Sequence, residues 1–190
     1  MKPTTILLLL GLAGPGAAAA LAGTITGFVH AKGPPETPAA GEAGNYESRR
    51  YKFAEKIDYD HLTDFVVSIE GAVPGAPPAG SQAVTTQKDA SFEPHVLPVA
   101  VGTTVRWPNE DDIYHNVFSM SEAKEFDLGY YKKERTPEIV FDRVGRVDVF
   151  CAIHTKMHCI ILVLPNPYFA LADAKGRFVI RDVPAGIYKL

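Results

Sequence analysis

Long apolar runs are scarce in this sequence, and so are cysteine and any sustained block of one charge. The longest apolar stretch, Ile6 to Leu12, is broken by Gly14-Pro15-Gly16, well short of the roughly 20 residues a membrane-spanning helix needs. Preceded by Lys2 and followed by Ala20-Leu21-Ala22, it has the charged, apolar and small-residue regions of a secretory signal peptide, residues 1–22, with cleavage expected before Gly23. The first cysteine is Cys151, so no thiol stands near that point for a lipid anchor. The expected mature chain is soluble, has no membrane span and is periplasmic or otherwise extracytoplasmic. Loss of Lys2 leaves 18 basic against 22 acidic residues without long runs, which argues against nucleic acid as a partner.

With 190 residues, 46% of them hydrophobic, the chain is long enough for one domain with a proper core and a small appendage. Short β-rich runs recur between turn clusters: Thr24–Val29, Phe65–Ile69, Val96–Val101, Thr103–Trp107, Glu138–Phe141, Val147–Phe150 and Ile160–Leu164. The Pro/Gly-rich stretches Gly33–Gly41 and Gly71–Gly80 exclude helix interior and central strand and are expected as surface loops. Strands this closely spaced predict an all-β protein, a Greek-key β-sandwich.

Chemistry concentrates in Phe150-Cys151-Ala152-Ile153-His154-Thr155-Lys156-Met157, where a thiol, an imidazole and a thioether fall within seven residues after a predicted strand. Thiolate and thioether are soft ligands and imidazole is intermediate; two His and one Cys with a weak axial Met is the ligand set of an electron-transfer copper site. His115, in Tyr114-His115-Asn116, supplies the second imidazole from 36 residues upstream. It can reach the same ion if the sandwich gathers two loops at one end. The predicted ligands are therefore His115, Cys151, His154 and Met157, for one copper ion.

Those residues, with Phe92 to Asn109 ahead of them, resemble the cupredoxin (blue copper) family of the plastocyanin-like kind, and the Cys-x2-His-x2-Met spacing is similar to amicyanin. The resemblance covers roughly Val84 to Leu164. It implies a type 1 copper cycling between Cu(I) and Cu(II), not an enzyme, with a cytochrome or dehydrogenase as redox partner. It also implies that both histidines bind through Nδ1, that Asn116 ties the two ligand loops together, and that His154 offers its ring edge at the surface.

Other readings compete. Export favours a Cys151–Cys159 disulfide in a structural β-sandwich. A zinc site could use Cys151, His154, His158 and Cys159, although that spacing departs from the paired zinc patterns. A copper-delivery protein would hold the ion without relaying electrons. His158 could take the place of Met157 as axial ligand. Cys159 otherwise reads as a small buried apolar residue. His95 reads as structural or surface, Met120 as a packing residue, and Trp107 and Phe118 as core beneath the site. Glu110-Asp111-Asp112 and Lys132 to Arg135 read as solvated loops.

The organisation expected is a leader over 1–22, a copper domain over 23–165 and a β extension over 166–190. The last resembles the opening of a carboxypeptidase regulatory-like sandwich. Its three short strands are too few to bury a core of their own.

Overall fold

The computed structural model describes residues 22–33, 58–73 and 81–190. The expected leader, save Ala22, and most of the two Pro/Gly-rich stretches lie outside the described residues. In chain order the elements are β1 (Gly23–Phe28), a 3-10 turn (Leu62–Asp64), β2 (Val66–Ser68), β3 (Gln82–Val84), β4 (Thr86–Lys88), β5 (Ser91–Glu93), β6 (Val96–Ala100) and β7 (Thr103–Arg106). Then come β8 (His115–Ser121), β9 (Lys124–Tyr131), β10 (Glu138–Phe141), β11 (Gly145–Phe150), β12 (His158–Leu164), β13 (Phe169–Leu171) and β14 (Arg177–Val183). Among the described residues no helix is long and apolar enough to cross a membrane.

The protein is all-β, and its main body is a β-sandwich. One sheet has the order β6-β12-β11-β8-β9 and the other β10-β7-β3. From β6 onward the chain passes repeatedly from one sheet to the other, so that β6 lies parallel to β12 and β3 parallel to β7. Alternation along each strand sends one set of side chains inward. Val99, Val117, Val147, Val149, Cys159, Ile161 and Val163 of the larger sheet meet Val105 and Phe141 of the smaller, with Trp107 and Phe92 in the same cluster. Phe92 stands edge-on to Trp107 at 6.0 Å, an arrangement favoured by the ring quadrupoles.

The strands of residues 166–190 bury no core alone. β14 pairs with β1 from the far end of the chain, and β13 pairs with β2. Ile69, Val73, Phe178, Ile180 and Val183 form a second hydrophobic cluster, with Ile25, Val67 and Tyr168 packed against it. Buried Asn166 fastens this unit, donating from Nδ2 to the Ile69 and Gly71 carbonyls at 2.8 Å each.

Two packing expectations fail, both on β8. Met120 is 80% exposed, and Phe118 lies outside the core cluster, its ring 6.0 Å from that of Phe150. Buried His115, Val117 and Ser119 fix which face of β8 points inward, and the strand period of two turns Phe118 and Met120 the other way.

Candidate metal centre

The central strands of the larger sheet carry the site. His115 opens β8, and Cys151 directly follows β11, its neighbour in the sheet. The chain then folds into a tight loop before β12. The Met157 N–H donates to the His154 carbonyl at 2.9 Å and the Cys151 N–H to the Met157 carbonyl at 3.3 Å. That closure turns the His154 ring back toward Cys151.

Three donor atoms meet. His115 Nδ1 and His154 Nδ1 are 3.0 Å apart, and Cys151 Sγ lies 3.9 Å from the first and 3.8 Å from the second. All three fall within 4.8 Å of one another. Metal–nitrogen bonds of about 2.0 Å and metal–sulfur bonds of about 2.3 Å place donors of one ion roughly 3.3–3.8 Å apart at tetrahedral to trigonal angles, so these residues fit a single transition-metal ion. His115 is fully buried, Cys151 and Met157 are buried in the core cluster, and His154 is partly exposed.

The surroundings hold His115 through its far nitrogen. Nε2 lies 2.8 Å from Asp111 Oδ2. Asp111 also accepts the backbone N–H groups of Asp89 at 2.8 Å and Ala90 at 3.0 Å, both left-handed residues of the β4–β5 turn. Burial pushes the Asp111 carboxyl up, but the Ala90, His115 and Asp89 hydrogen bonds outweigh it and leave the pKa below the usual value. Asn109 shapes the loop. Its Nδ2 donates to the Ile113 and Tyr131 carbonyls, and its Oδ1 accepts the Asp111 N–H. Beneath lies a buried network in which Gln87 Nε2 donates to Tyr131 Oη at 2.7 Å and that hydroxyl donates to the Trp107 carbonyl at 3.0 Å. Burial raises the Tyr131 pKa far above its ordinary value, so the phenol stays a donor.

Not every expected role survives. Asn116 does not bridge the ligand loops; its Nδ2 donates to Asp127 Oδ1 at 2.6 Å, tying β8 to β9. Cys151 and Cys159 are both free thiols, and Cys159 sits in β12 opposite Val149 with its side chain in the core. His158 turns to the outer face, where its Nε2 lies 3.0 Å from Asp148 Oδ1 and its ring stacks on Phe150. The zinc grouping of Cys151, His154, His158 and Cys159 is therefore not assembled.

Sequence reasoning missed Asp111, reading it as one of three solvated acids. The available signal was its position four residues before His115. Its neighbours do behave as surface: Lys133 Nζ pairs with Asp112 at 2.6 Å, and Lys132 Nζ lies 4.7 Å from the centre of the Tyr114 ring.

No protein-family model and no curated protein matches this chain. Among solved structures it is similar to a purple cupredoxin from Nitrosopumilus maritimus, at 25% identity and a TM-score of 0.39, over 43% of this chain and 98% of that one. It is similar to a Cu(I) form of an amicyanin mutant at 24% identity and a TM-score of 0.40, over 52% of this chain and 97% of that one. A Cu-containing nitrite reductase from Thermus scotoductus matches at 27% identity and a TM-score of 0.41, over 49% of this chain but 24% of the enzyme.

Proposed function

We propose that this chain is an exported type 1 copper protein of the cupredoxin kind that carries single electrons between redox partners. Its ligands are His115, Cys151, His154 and Met157. The observation that carries the reading is the meeting of two Nδ1 atoms and one Sγ within 4.8 Å at one end of a β-sandwich. Two imidazoles and a thiolate suit both oxidation states of copper, and a thioether is the common weak fourth partner.

Bound there, copper supplies one-electron redox chemistry. The protein's part is to hold its ligands still. His115 is anchored in a central strand and braced by Asp111, while Cys151 and Met157 are locked together by a backbone hydrogen bond. Rigid ligands leave little to rearrange when the charge changes. His154 reaches the surface beside Ile153, which is 47% exposed, and so offers the route out to a partner. A cytochrome or a dehydrogenase is the expected partner class, and the leader expected over residues 1–22 supports an exchange in the periplasm or another extracytoplasmic space. Cys151 is flanked by Phe150 and Ala152, so the chain lacks the His-Cys-His run of multicopper oxidases, which supports a carrier rather than an enzyme.

Repeated reduction by ascorbate and reoxidation by ferricyanide tests this. Full recovery of the Cu(II) spectrum over many cycles, with copper retained, is the expected result. Copper released on each reduction would mark delivery instead of electron transfer.

A further inference from the structure

The chain from Trp107 to Tyr114 lies outside the strands, yet it delivers His115 to the site. Irregular backbone must find its hydrogen bonds off a ladder, and here β4 and its turn supply them. Gln87, the middle residue of β4, is fully buried. Its N–H donates to the Pro108 carbonyl at 2.9 Å, and its carbonyl accepts the Glu110 N–H at 2.8 Å. Two residues on, the Asp89 and Ala90 N–H groups hold Asp111, which in turn meets His115 Nε2. One short strand and its turn therefore grip the loop from Pro108 to Asp111.

The side chain of Gln87 adds a second grip. Its Nε2 lies 2.7 Å from Tyr131 Oη, 3.2 Å from the Pro108 carbonyl oxygen and 3.3 Å from that of Trp107. The two carbonyls fix which end of the amide points at them, because the amide oxygen would meet them with no proton to share. Tyr131 Oη accepts from Gln87 and donates onward to the Trp107 carbonyl at 3.0 Å, and burial keeps that phenol protonated. Tyr131 stands opposite His115 in the β8–β9 pairing. Its own carbonyl accepts Asn109 Nδ2 at 3.1 Å, and Asn109 Oδ1 accepts the Asp111 N–H at 2.9 Å. Hydrogen bonds thus run without a break from the Gln87 amide to the carboxylate that braces the ligand.

We propose that Gln87 is a positioning residue for His115: its side-chain amide, acting through Tyr131, fixes the loop that carries Asp111 and with it the direction of the His115 Nδ1 lone pair. This role deepens the reading of His115 as a metal ligand and rests on it. Groups that orient a metal-binding imidazole from outside the ligand set change metal affinity by about 10–100-fold when they are removed. Gln87 works one step further out than Asp111, so its effect falls at the lower end of that range.

The test reads the ring before any metal is added. Nitrogen NMR of the isotope-labelled, metal-free protein should show His115 as a single tautomer with its proton on Nε2. Gln87→Met, which keeps an unbranched side chain but no donor, should give a mixture of tautomers. Tyr131→Phe should give the same mixture, and the double variant should go no further, because both changes break one path. Tyr131→Phe removes a single oxygen and keeps the core filled, so it reads the path even where a change at Gln87 lowers stability. Thr85→Val, equally buried two residues back, should leave the ring unchanged. With copper added, Gln87→Met should bind about 10-fold more weakly in competition with a chelator. A mixture already present in the unmodified protein, one Nε2–H tautomer in both Gln87→Met and Tyr131→Phe, additive effects in the double variant, or an equal loss in Thr85→Val would each overturn the proposal. An unmodified protein that forms no thiolate–copper band would instead sink the copper reading, and the tautomer comparison would still decide the part played by Gln87.

Discussion

His115 and Asp111 are joined by a 2.8 Å contact between Nε2 and Oδ2, and the same carboxylate caps the turn between β4 and β5 through two backbone N–H groups. A ligand, a loop and a hairpin turn are thereby fixed as one unit. The proton on His115 is held at Nε2, which leaves the Nδ1 lone pair directed at Cys151 and His154.

Asp111→Ala should therefore weaken copper binding by about 10–100-fold, with Asp111→Asn intermediate because it can still meet one ring nitrogen. Competition with a chelator of known affinity reads the change. Equal affinity in all three chains would show that the carboxylate does not position the ring.

Cys159 should be inert while the protein is folded. Burial, and after it the Asp148 charge, pushes its thiol pKa well above the ordinary value, so almost no thiolate forms near neutral pH. A thiol reagent at about pH 8 should label Cys159 only after denaturation. Rapid labelling in the native copper-loaded protein would contradict the packing described.

Asp148 makes stability depend on pH. Burial raises its pKa, but hydrogen bonds and charge from Arg146 and His158 more than compensate, and the net shift is downward. A carboxyl depressed in the folded state stabilises the protein above its unfolded pKa of about 3.9, and that contribution is lost as pH falls through the folded pKa. The melting temperature should drop below about pH 4, and Asp148→Asn should flatten that drop while lowering the plateau. An unchanged acid limb in the variant would refute the assignment.

Gly176 has a φ of +83°, and a Cβ there would collide with the Val29 carbonyl oxygen, to whose residue's N–H the Gly176 carbonyl is already bonded. Gly176→Ala should cost about 2 kcal/mol or more, read as a lowered denaturant midpoint. The loss falls on the β1–β14 unit, so copper binding should survive in the folded fraction.

Much of this architecture was legible in local pattern. Val96–Val101 and Glu138–Phe141 read as strands because β-branched residues cluster between turn formers, and they fold as β6 and β10. The meeting of His115 with Cys151 and His154 followed from ligand chemistry and loop clustering. The β8–β9 hairpin did not announce itself, because Lys124 to Tyr131 mixes charges and Gly129 into a strand with one polar face. The β1–β14 pairing joins opposite ends of the chain, and no local signal encodes such a partner. Asp111 was hidden for a related reason: a carboxylate in an acidic loop looks solvated until the fold brings a ring nitrogen to it.

The central claim, that Cys151 thiolate binds copper beside His115 and His154, is tested most directly by the visible absorption spectrum of the protein with one equivalent of Cu(II). An intense thiolate-to-copper band that disappears in Cys151→Ser and bleaches reversibly with ascorbate is the predicted result. A colourless protein, or a band that persists in Cys151→Ser, would contradict it.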